Sequence, residues 1–248
     1  GTQNAGFAFG GTPSNTLTEE YDGSTWTAGG AIQIGRHRGS GTGTQNAALL
    51  VGGLTPSTSA KTEEYDGSSW SHGGDKSTAI YDNETIGTQN AALSFGGTPS
   101  NTVNEEYNGS SWATGGSLIW GRIQLMGLGT QNNALAVSGY SSGNKTCVEN
   151  YNGTTWSVHK VVPTAFRDGD SGGGTDSSAG IFFGGVGPAI WNNAFKYDCV
   201  VSTCVGTWSV GGDLNTARAY LGGAGTTNAA LAFGGLALTG ATEEYDGS

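Results

Sequence analysis

The chain has 248 residues, 46 of which are glycine, and a formal net charge of −10. Such an acidic chain excludes binding to nucleic acid through a general basic field and disfavours contact with anionic lipid surfaces. It contains no apolar run of about 18 residues, which argues against a membrane-spanning helix, and its 7 Trp, 9 Tyr and 8 Phe argue against disorder.

The first predicted element is an apolar strand that follows the phrase GTQN and ends in a double glycine, which permits a sharp bend. The phrase recurs at spacings of 42, 44, 42, 45 and 51 residues, a period typical of four-stranded propeller blades. Its copies begin at Gly1, Gly43, Gly87, Gly129, Gly174 and Gly225. We therefore expect residues 1–248 to form a single domain of repeated blades, with both ends falling within a blade.

The next elements of each unit are the acidic strand TEEY and a strand that begins with Trp. A polar loop such as TPSNT at 98–102 precedes TEEY, and the dipeptide DG or NG after it predicts a tight hairpin in which the Asp is a turn residue. We expect each Trp to pack between neighbouring sheets because of its large apolar area. The members of this series are Trp26, Trp70, Trp112, Trp156 and Trp208. A fourth strand leads into the next GTQN.

The paired glutamates of TEEY resemble a catalytic carboxylate pair. Adjacent residues on a strand face opposite sides of the sheet, so they cannot share one substrate as a hydrolase pair does. An arginine instead follows four of the Trp residues at ten or eleven positions, and we expect architectural Glu–Arg bridges within or between blades. These arginines are Arg36, Arg122, Arg167 and Arg218, and the remaining copy has Ile80.

The double glycines, the Tyr-Asp or Tyr-Asn pairs such as Tyr65-Asp66, and the spaced Trp together resemble the kelch repeat over essentially the whole chain. The resemblance implies an all-β, kelch-like β-propeller of about six four-stranded blades, or seven in a longer chain. The glycine-rich units are also similar to kelch-like segments of phage and marine-virus structural proteins. The sequence has six apolar strands and six copies of the TEEY strand, but only five Trp strands and five strands that lead into the next GTQN. A closed six-bladed ring therefore lacks one segment that contains these last two strands. We therefore expect a piece of a longer polypeptide or, alternatively, self-association through open blade edges.

Departures from the repeat indicate where a ligand or partner could bind. Because neighbouring strands alternate in direction, the loop between the apolar strand and TEEY is predicted to lie on the same face as the connector between blades. Aromatic rings beside amides suit sugar rings or protein contacts. The candidates on that face are Trp191, Asn192, Asn193, Trp120, Tyr140 and Asn144. The alternative that Trp191 and Trp120 fill gaps in imperfect blades stays open.

Metal and redox signals are weak in this sequence. His37, His72 and His159 fall at different phases of the repeat, so no metal site is predicted from them. The stretch with Asp168, Asp170 and Asp176 is similar to a cation-binding loop but lacks a bidentate Glu at the required distance. Cys199 and Cys204 could form a disulfide across an enlarged hairpin or remain two thiols, and Cys147 is predicted to be a core residue.

These features favour a non-catalytic structural or adhesive module of a large virion protein (phage tail or capsid-associated) or of an extracellular protein. Its expected partners are other proteins of the assembly or cell-surface glycans, without nucleic acid, membrane insertion or cofactor. The alternative function is a carbohydrate-binding lectin propeller. Some kelch-like propellers are copper oxidases, but no Tyr, His and Cys cluster marks such a centre here, so an enzyme is not expected.

Overall fold

The computed structural model of the chain describes residues 1–12, 15–171, 177–199, 206–236 and 240–247, and within them it contains strands, turns and loops. No helix in these ranges is long and apolar enough to cross a membrane. In chain order the strands are β1 (Phe7–Phe9), β2 (Thr18–Tyr21), β3 (Trp26–Ala28), β4 (Ser40–Thr44), β5 (Ala47–Val51), β6 (Leu54–Thr55), β7 (Ser57–Thr58), β8 (Thr62–Tyr65), β9 (Trp70–His72), β10 (Glu84–Thr88), β11 (Ala91–Phe95), β12 (Asn104–Tyr107), β13 (Trp112–Thr114), β14 (Met126–Thr130), β15 (Asn133–Val137), β16 (Val148–Tyr151), β17 (Trp156–Val158), β18 (Asp170–Ser171), β19 (Ala179–Phe183), β20 (Ala194–Asp198), β21 (Thr207–Val210), β22 (Gly222–Thr226), β23 (Ala229–Phe233) and β24 (Thr242–Tyr245).

The strands form six antiparallel blades and one small hairpin. Blade 1 is β1-β2-β3, blade 2 is β4-β5-β8-β9, blade 3 is β10 to β13, blade 4 is β14 to β17, blade 5 is β18 to β21, and blade 6 is β22-β23-β24. The hairpin β6-β7 belongs to a loop of blade 2. The first strands of blades 2 to 6 contact one another in succession, so they surround the axis. The predicted all-β propeller of about six blades is confirmed, although blades 1 and 6 show three strands each.

Direct contacts between the first and last blades close the ring. The Tyr21 hydroxyl donates a hydrogen bond to Glu244 Oε1 at 3.1 Å, and Trp26 Nε1 donates one to Thr242 Oγ1 at 3.1 Å. Gln3 Nε2 also donates to the carbonyl of Tyr245 at 3.1 Å. Because blade 1 touches blade 6 directly, the ring has six blades.

The Gln of each GTQN phrase joins neighbouring blades. Gln89 Nε2 donates to the carbonyls of Ala48 at 3.0 Å and Tyr65 at 2.8 Å, both in blade 2. Gln45 and Gln131 make the corresponding pair of bonds to the blade that precedes each of them. These repeated amides therefore serve the scaffold.

The repeated Trp rings fill the space between blades, as predicted. Trp70 of blade 2 stacks on Phe7 and meets the edge of Phe9 in blade 1, with ring centroids 5.9 and 5.2 Å apart. Its Nε1 donates to Thr18 Oγ1 at 2.9 Å. Trp156 packs on Phe95 across the interface of blades 3 and 4 at 5.0 Å.

The paired glutamates face opposite sides of their strand and bind different neighbours. Glu63 is fully buried beside Arg36, whose Nη2 lies 3.0 Å from Glu63 Oε1. Glu64 accepts a hydrogen bond from the Tyr107 hydroxyl of the next blade. The predicted architectural bridge is confirmed for Arg36–Glu63, and likewise for Arg122–Glu149 and Arg218–Glu243.

The predicted bridge is wrong for Arg167, because Phe166 occupies the position of the bridging arginines. Phe166 packs on Phe195 of blade 5 at a centroid distance of 5.8 Å. Phe195 is paired with the preceding strand as Glu63 is in blade 2, so an aromatic pair replaces the ion pair. In blade 3 the cation comes from another position, since Lys76 Nζ lies 3.3 Å from Glu105 Oε1.

The Asp of each DG dipeptide organises the outer hairpin. Asp66 Oδ1 accepts the backbone amides of Ser68 at 2.9 Å and Ser69 at 2.8 Å. Those hydrogen bonds lower the pKa of Asp66 to about 2. Asn108 and Asn152 accept equivalent bonds in their own hairpins, so the predicted turn role is confirmed.

Candidate axial binding site

Five residues at equivalent positions of the connectors between blades surround the axis at one end of the ring. Each follows the bridging-arginine position by two residues and precedes the first strand of its blade. We call them the axial residues: Arg38, Asp82, Gln124, Asp168 and Tyr220. Their backbone groups form a chain of hydrogen bonds, namely Asp82 N to Arg38 O at 3.0 Å, Gln124 N to Asp82 O at 3.0 Å, Asp168 N to Gln124 O at 3.2 Å and Tyr220 N to Asp168 O at 2.8 Å.

All five axial residues adopt a left-handed backbone conformation, with φ between 54° and 59°. That region costs a residue other than glycine about 1–3 kcal/mol, and such strain clusters at functional sites. Four residue types occupy the five positions, with only Asp appearing twice, whereas the Trp and Tyr positions of the same units repeat throughout. This arrangement places a varied set of side chains on a repeated frame.

The axial residues line an open cavity of about 130 Å³. The remaining lining residues are Gly39, Asn83, Leu125 and Gly169. In a small-ligand site, convergent polar groups fix the orientation of the ligand, and this cavity brings several such groups together. The cavity is therefore the strongest candidate for a binding site on this face.

Two carboxylates of the cavity lie beside arginines. Arg38 Nε donates to Asp82 Oδ1 at 2.6 Å and a second guanidinium nitrogen donates to Oδ2, which makes the pair bidentate and raises the pKa of Arg38. Asp168 is only 8% exposed, and burial raises its pKa to about 6 although Arg167 Nε lies 3.3 Å from Oδ2. Tyr220 is 56% exposed at the rim, and desolvation together with the charge of Asp168 raises its pKa.

Two buried acceptor atoms of the cavity lining have no hydrogen-bond partner, namely Asn83 Oδ1 and Asp168 Oδ2. The amide nitrogen of Asn83 is held in place, since it donates to Thr85 Oγ1 at 3.2 Å and Ser94 Oγ at 3.0 Å. A buried acceptor without a donor costs about 1–3 kcal/mol. Both atoms would gain from a ligand that donates hydrogen bonds.

A second pair of acids lies one step deeper along the axis, at the starts of β10 and β18. Burial raises the pKa of Asp170 to about 7. Burial and the nearby Asp170 hold the pKa of Glu84 well above its usual range. Asp168 and Asp170 thus occupy different levels, and Asp176 lies outside the described residues. Among the residues that the structure describes, no group of three His, Cys, Asp or Glu is placed to hold a metal ion.

The predicted site residue Trp191 is half-buried within its loop. Its ring stacks on Phe166 at 5.8 Å and covers Gly187, where an added Cβ would lie 2.1 Å from the indole. Asn192 Nδ2 donates to the carbonyl of Leu214 at 3.2 Å, and Asn193 Nδ2 approaches Asp213 Oδ1 at 3.4 Å. These contacts secure the loop, while the binding role of the three residues stays a prediction.

Trp120, Tyr140 and Asn144 lie on the same face as the axial cavity. Trp120 is 42% exposed, the guanidinium of Arg167 lies over the Tyr140 ring at 4.5 Å, and Asn144 Nδ2 donates to the carbonyl of Val186 at 2.8 Å. Isolated bridges join the two kinds of loop, as in Ile123 with Tyr140 and Arg167 with Val186. The predicted sharing of one face, which we call the loop face, is therefore confirmed.

The axial residues were not recognised from the sequence, apart from Asp168 as a weak cation ligand. A signal was present, because aligning the units on Trp places all five at one position where no two copies but Asp82 and Asp168 agree. The backbone conformation and the shared cavity are visible only in the structure.

The cysteines add little to this site. Cys204 lies outside the described residues, so the disulfide between Cys199 and Cys204 stays a prediction. Cys147, expected in the core, is partly exposed and its Sγ accepts a hydrogen bond from Arg122.

The ring defines the class of this protein, a six-bladed β-propeller, and loops line a cavity at its axis. A solved structure titled "Structure of YjhT" has a similar fold, with a TM-score of 0.74 over 97% of this chain and 90% of that chain, at 14% sequence identity. That likeness concerns the fold alone. No protein-family model matches the chain, and no curated protein matches it in sequence.

Proposed function

We propose that this propeller is a non-catalytic structural or adhesive binding module of kelch type, carried by a large virion protein (phage tail or capsid-associated) or by an extracellular protein. It contacts other proteins of its assembly through the loop face, with the axial cavity as the selective element. The observation that carries the proposal is that four different side-chain types occupy five equivalent, strained backbone positions. A scaffold role alone gives no reason for such variation at one position.

The carboxylates that most resemble catalytic groups support a non-catalytic role. Glu63 binds Arg36 and the backbone amide of Gln33, the latter at 2.7 Å, and Glu64 binds Tyr107. Each is thus engaged in holding blades together. The glycine-rich repeats and the acidic surface favour a rigid disc in an extracellular or virion setting, where recurring blades present loops to a partner.

Site-directed photo-crosslinking within the native assembly tests the proposal. A photoreactive amino acid at Tyr220 samples the loop face, and one at Ser110, in a hairpin of the opposite end of the strands, is the matched control. We expect a discrete protein adduct from Tyr220 and none from Ser110. Equal labelling at both positions, or no adduct at Tyr220, would contradict binding through this face. The intact mass of the native polypeptide shows in addition whether the propeller belongs to a larger protein.

A carbohydrate-binding lectin is the second candidate, favoured by one observation. Trp120 is exposed, and the side-chain amide of Asn101 lies against the backbone of Gly121, where an added Cβ would be 2.2 Å from Asn101 Oδ1. An apolar ring beside an amide suits a sugar. Glycan-array binding that is abolished by Trp120→Ala, but not by a substitution in the axial cavity, would favour this candidate over the first.

A further inference from the structure

We propose that the axial cavity binds a protonated primary amine, the ε-ammonium group of a lysine carried by the partner protein. The inference rests on the proposed function and names the chemistry that the loop face recognises. The hydrogen-bond acceptors, the charges and the shape of the cavity all favour such a ligand.

The hydrogen-bonding groups of the cavity call for a donor. Asn83 Oδ1 and Asp168 Oδ2 are buried acceptors without a hydrogen-bond partner, although Arg167 Nε lies 3.3 Å from the second, and both residues line the cavity. Gln124 lines the same cavity and offers a third acceptor through its side-chain amide. An ammonium group presents three donors and no acceptor, so it can satisfy three such oxygens at once.

The charges near the axis suit a cation. Asp82 and Asp168 line the cavity. The two nearby guanidinium groups are already engaged, because Arg38 is held by Asp82, and Arg167 lies over Tyr140 beside Asp168. An anionic ligand would bring further acceptors towards Asn83 Oδ1 and Asp168 Oδ2, which have no hydrogen-bond partner.

The shape of the site favours a lysine side chain. The cavity holds about 130 Å³ and opens to solvent on the loop face. An ammonium is a compact charge on a flexible four-carbon stem, so it can enter the cavity while its backbone stays outside. Tyr220 stands at the rim with 56% of its surface exposed, where its ring can cover the stem and attract the cation.

Binding should depend on pH in a defined direction. Burial is the main effect that disfavours the charged form of Asp168, and Asp82 adds to it. Arg167, a hydrogen bond with Tyr220, and Arg38 favour the charged form. Since a pKa of about 6 leaves Asp168 mostly ionised at neutral pH, amine affinity should be full above that value. It should fall as the pH drops through about 6.

The test is a titration of the purified propeller with Nα-acetyl-lysine methylamide, followed by NMR or calorimetry. The neutral control is the same compound acetylated on its side-chain nitrogen. We expect saturable binding of the charged compound, with a Kd of about 1 mM for this isolated group, and none of the neutral one. Asp168→Asn should weaken binding at least about tenfold, whereas Asp213→Asn, an equal charge change at an exposed position of the same face, should leave it unchanged.

Other outcomes decide against the proposal. Equal binding of the charged and neutral compounds, binding of a neutral hexose that Asp168→Asn abolishes, or no binding by a folded protein overturns the amine. If Asp168→Asn does not fold, Gln124→Ala replaces it, and an unchanged affinity there overturns the proposal as well. A discrete adduct from Tyr220 without amine binding would retain the proposed function and reject this ligand, and the two failures are therefore distinguishable.

Discussion

Phe166 packs against Phe195 with ring centroids 5.8 Å apart, at the place where Arg36 pairs with Glu63 in blade 2. Both partners of the buried ion pair have thus changed together to an apolar pair. A buried ion pair can often be replaced by well-packed apolar residues at little cost, whereas changing one partner leaves an unpaired buried charge. The two solutions coexist in one ring.

Introducing half of the ion pair into blade 5 should be strongly destabilising. We expect Phe166→Arg alone to lower the free energy of unfolding by about 3–5 kcal/mol, because the new guanidinium would face Phe195 without a carboxylate. Adding Phe195→Glu should recover part of that loss. Urea unfolding of the single and double variants measures the coupling, and additive losses would show that the two positions do not interact.

Two lysine–carboxylate pairs within the described ranges offer a matched comparison. Lys76 and Glu105 are both fully buried, while the side chains of Lys61 and Asp75 are 46% and 45% exposed at a distance of 2.7 Å. Glu105→Gln should cost about 3–5 kcal/mol, because it leaves the ammonium of Lys76 buried without its counter-charge. Asp75→Asn should cost less than about 1 kcal/mol. Thermal or urea unfolding tests both variants, and similar losses would contradict the role of burial.

Most of the fold could be predicted from the sequence because each repeat contains residues that mark where its strands begin and end. The double glycines end the second strand, the DG hairpins start the fourth, and each Trp fills a space between blades. Arg167 was misassigned by one position, because it follows Trp156 by eleven residues, whereas Phe166 follows it by ten, as the bridging arginines follow their own Trp. In blade 3, Lys76 rather than the residue at the arginine position pairs with Glu105, and only the structure shows that the two side chains are close.

The candidate site was harder to predict than the fold. Its residues share a position rather than a residue type, so no motif marks them. Trp191 and Asn144 drew attention as departures from the repeat, yet their contacts hold loops together. Asp168 and Asp170 are two residues apart in the sequence, but Asp168 lines the cavity, whereas Asp170 lies deeper along the axis at the start of β18. The left-handed backbone of all five axial residues accompanies a chain of backbone hydrogen bonds that links them, and no sequence motif announces either feature.

Alkaline pH should weaken the contacts between blades. Burial and the hydrogen bond to Glu64 raise the pKa of Tyr107 to about 12, above the value of about 10 expected when unfolded. The folded state therefore keeps this proton between those two values while the unfolded state loses it, so stability is full below pH 10 and falls as the pH rises towards 12. Unfolding free energies measured across that range should decline less steeply for Tyr107→Phe than for the unchanged protein. An unaltered slope would show that Tyr107 does not contribute.

The outer hairpins supply a control within the chain itself. Asp66→Asn should destabilise the protein less than Asp66→Ala at pH 7, because Asn108 already accepts the same backbone bonds in blade 3. Asp66→Ala should destabilise the protein, since it removes the acceptor for Ser68 and Ser69. The depressed pKa of Asp66, about 2, means that its contribution is present above pH 4 and lost as the pH falls through about 2. Thermal melting of the two variants should separate them, and equal melting temperatures would contradict the capping role.

The closure between blades 1 and 6 should open when its hydrogen bonds are removed. Glu244→Ala leaves the Tyr21 hydroxyl without its acceptor, whereas Glu64→Ala removes the same bond from Tyr107 at an interface that the chain itself crosses. Bringing together two blades that are far apart in sequence costs more chain entropy than bringing together two consecutive blades. The contact between blades 1 and 6 is therefore harder to re-form once it is broken. We therefore expect faster hydrogen exchange in β1 to β3 and β22 to β24 for Glu244→Ala, and only a local effect near β12 for Glu64→Ala. Uniform acceleration around the ring in both variants would instead show that the six blades open as one cooperative unit.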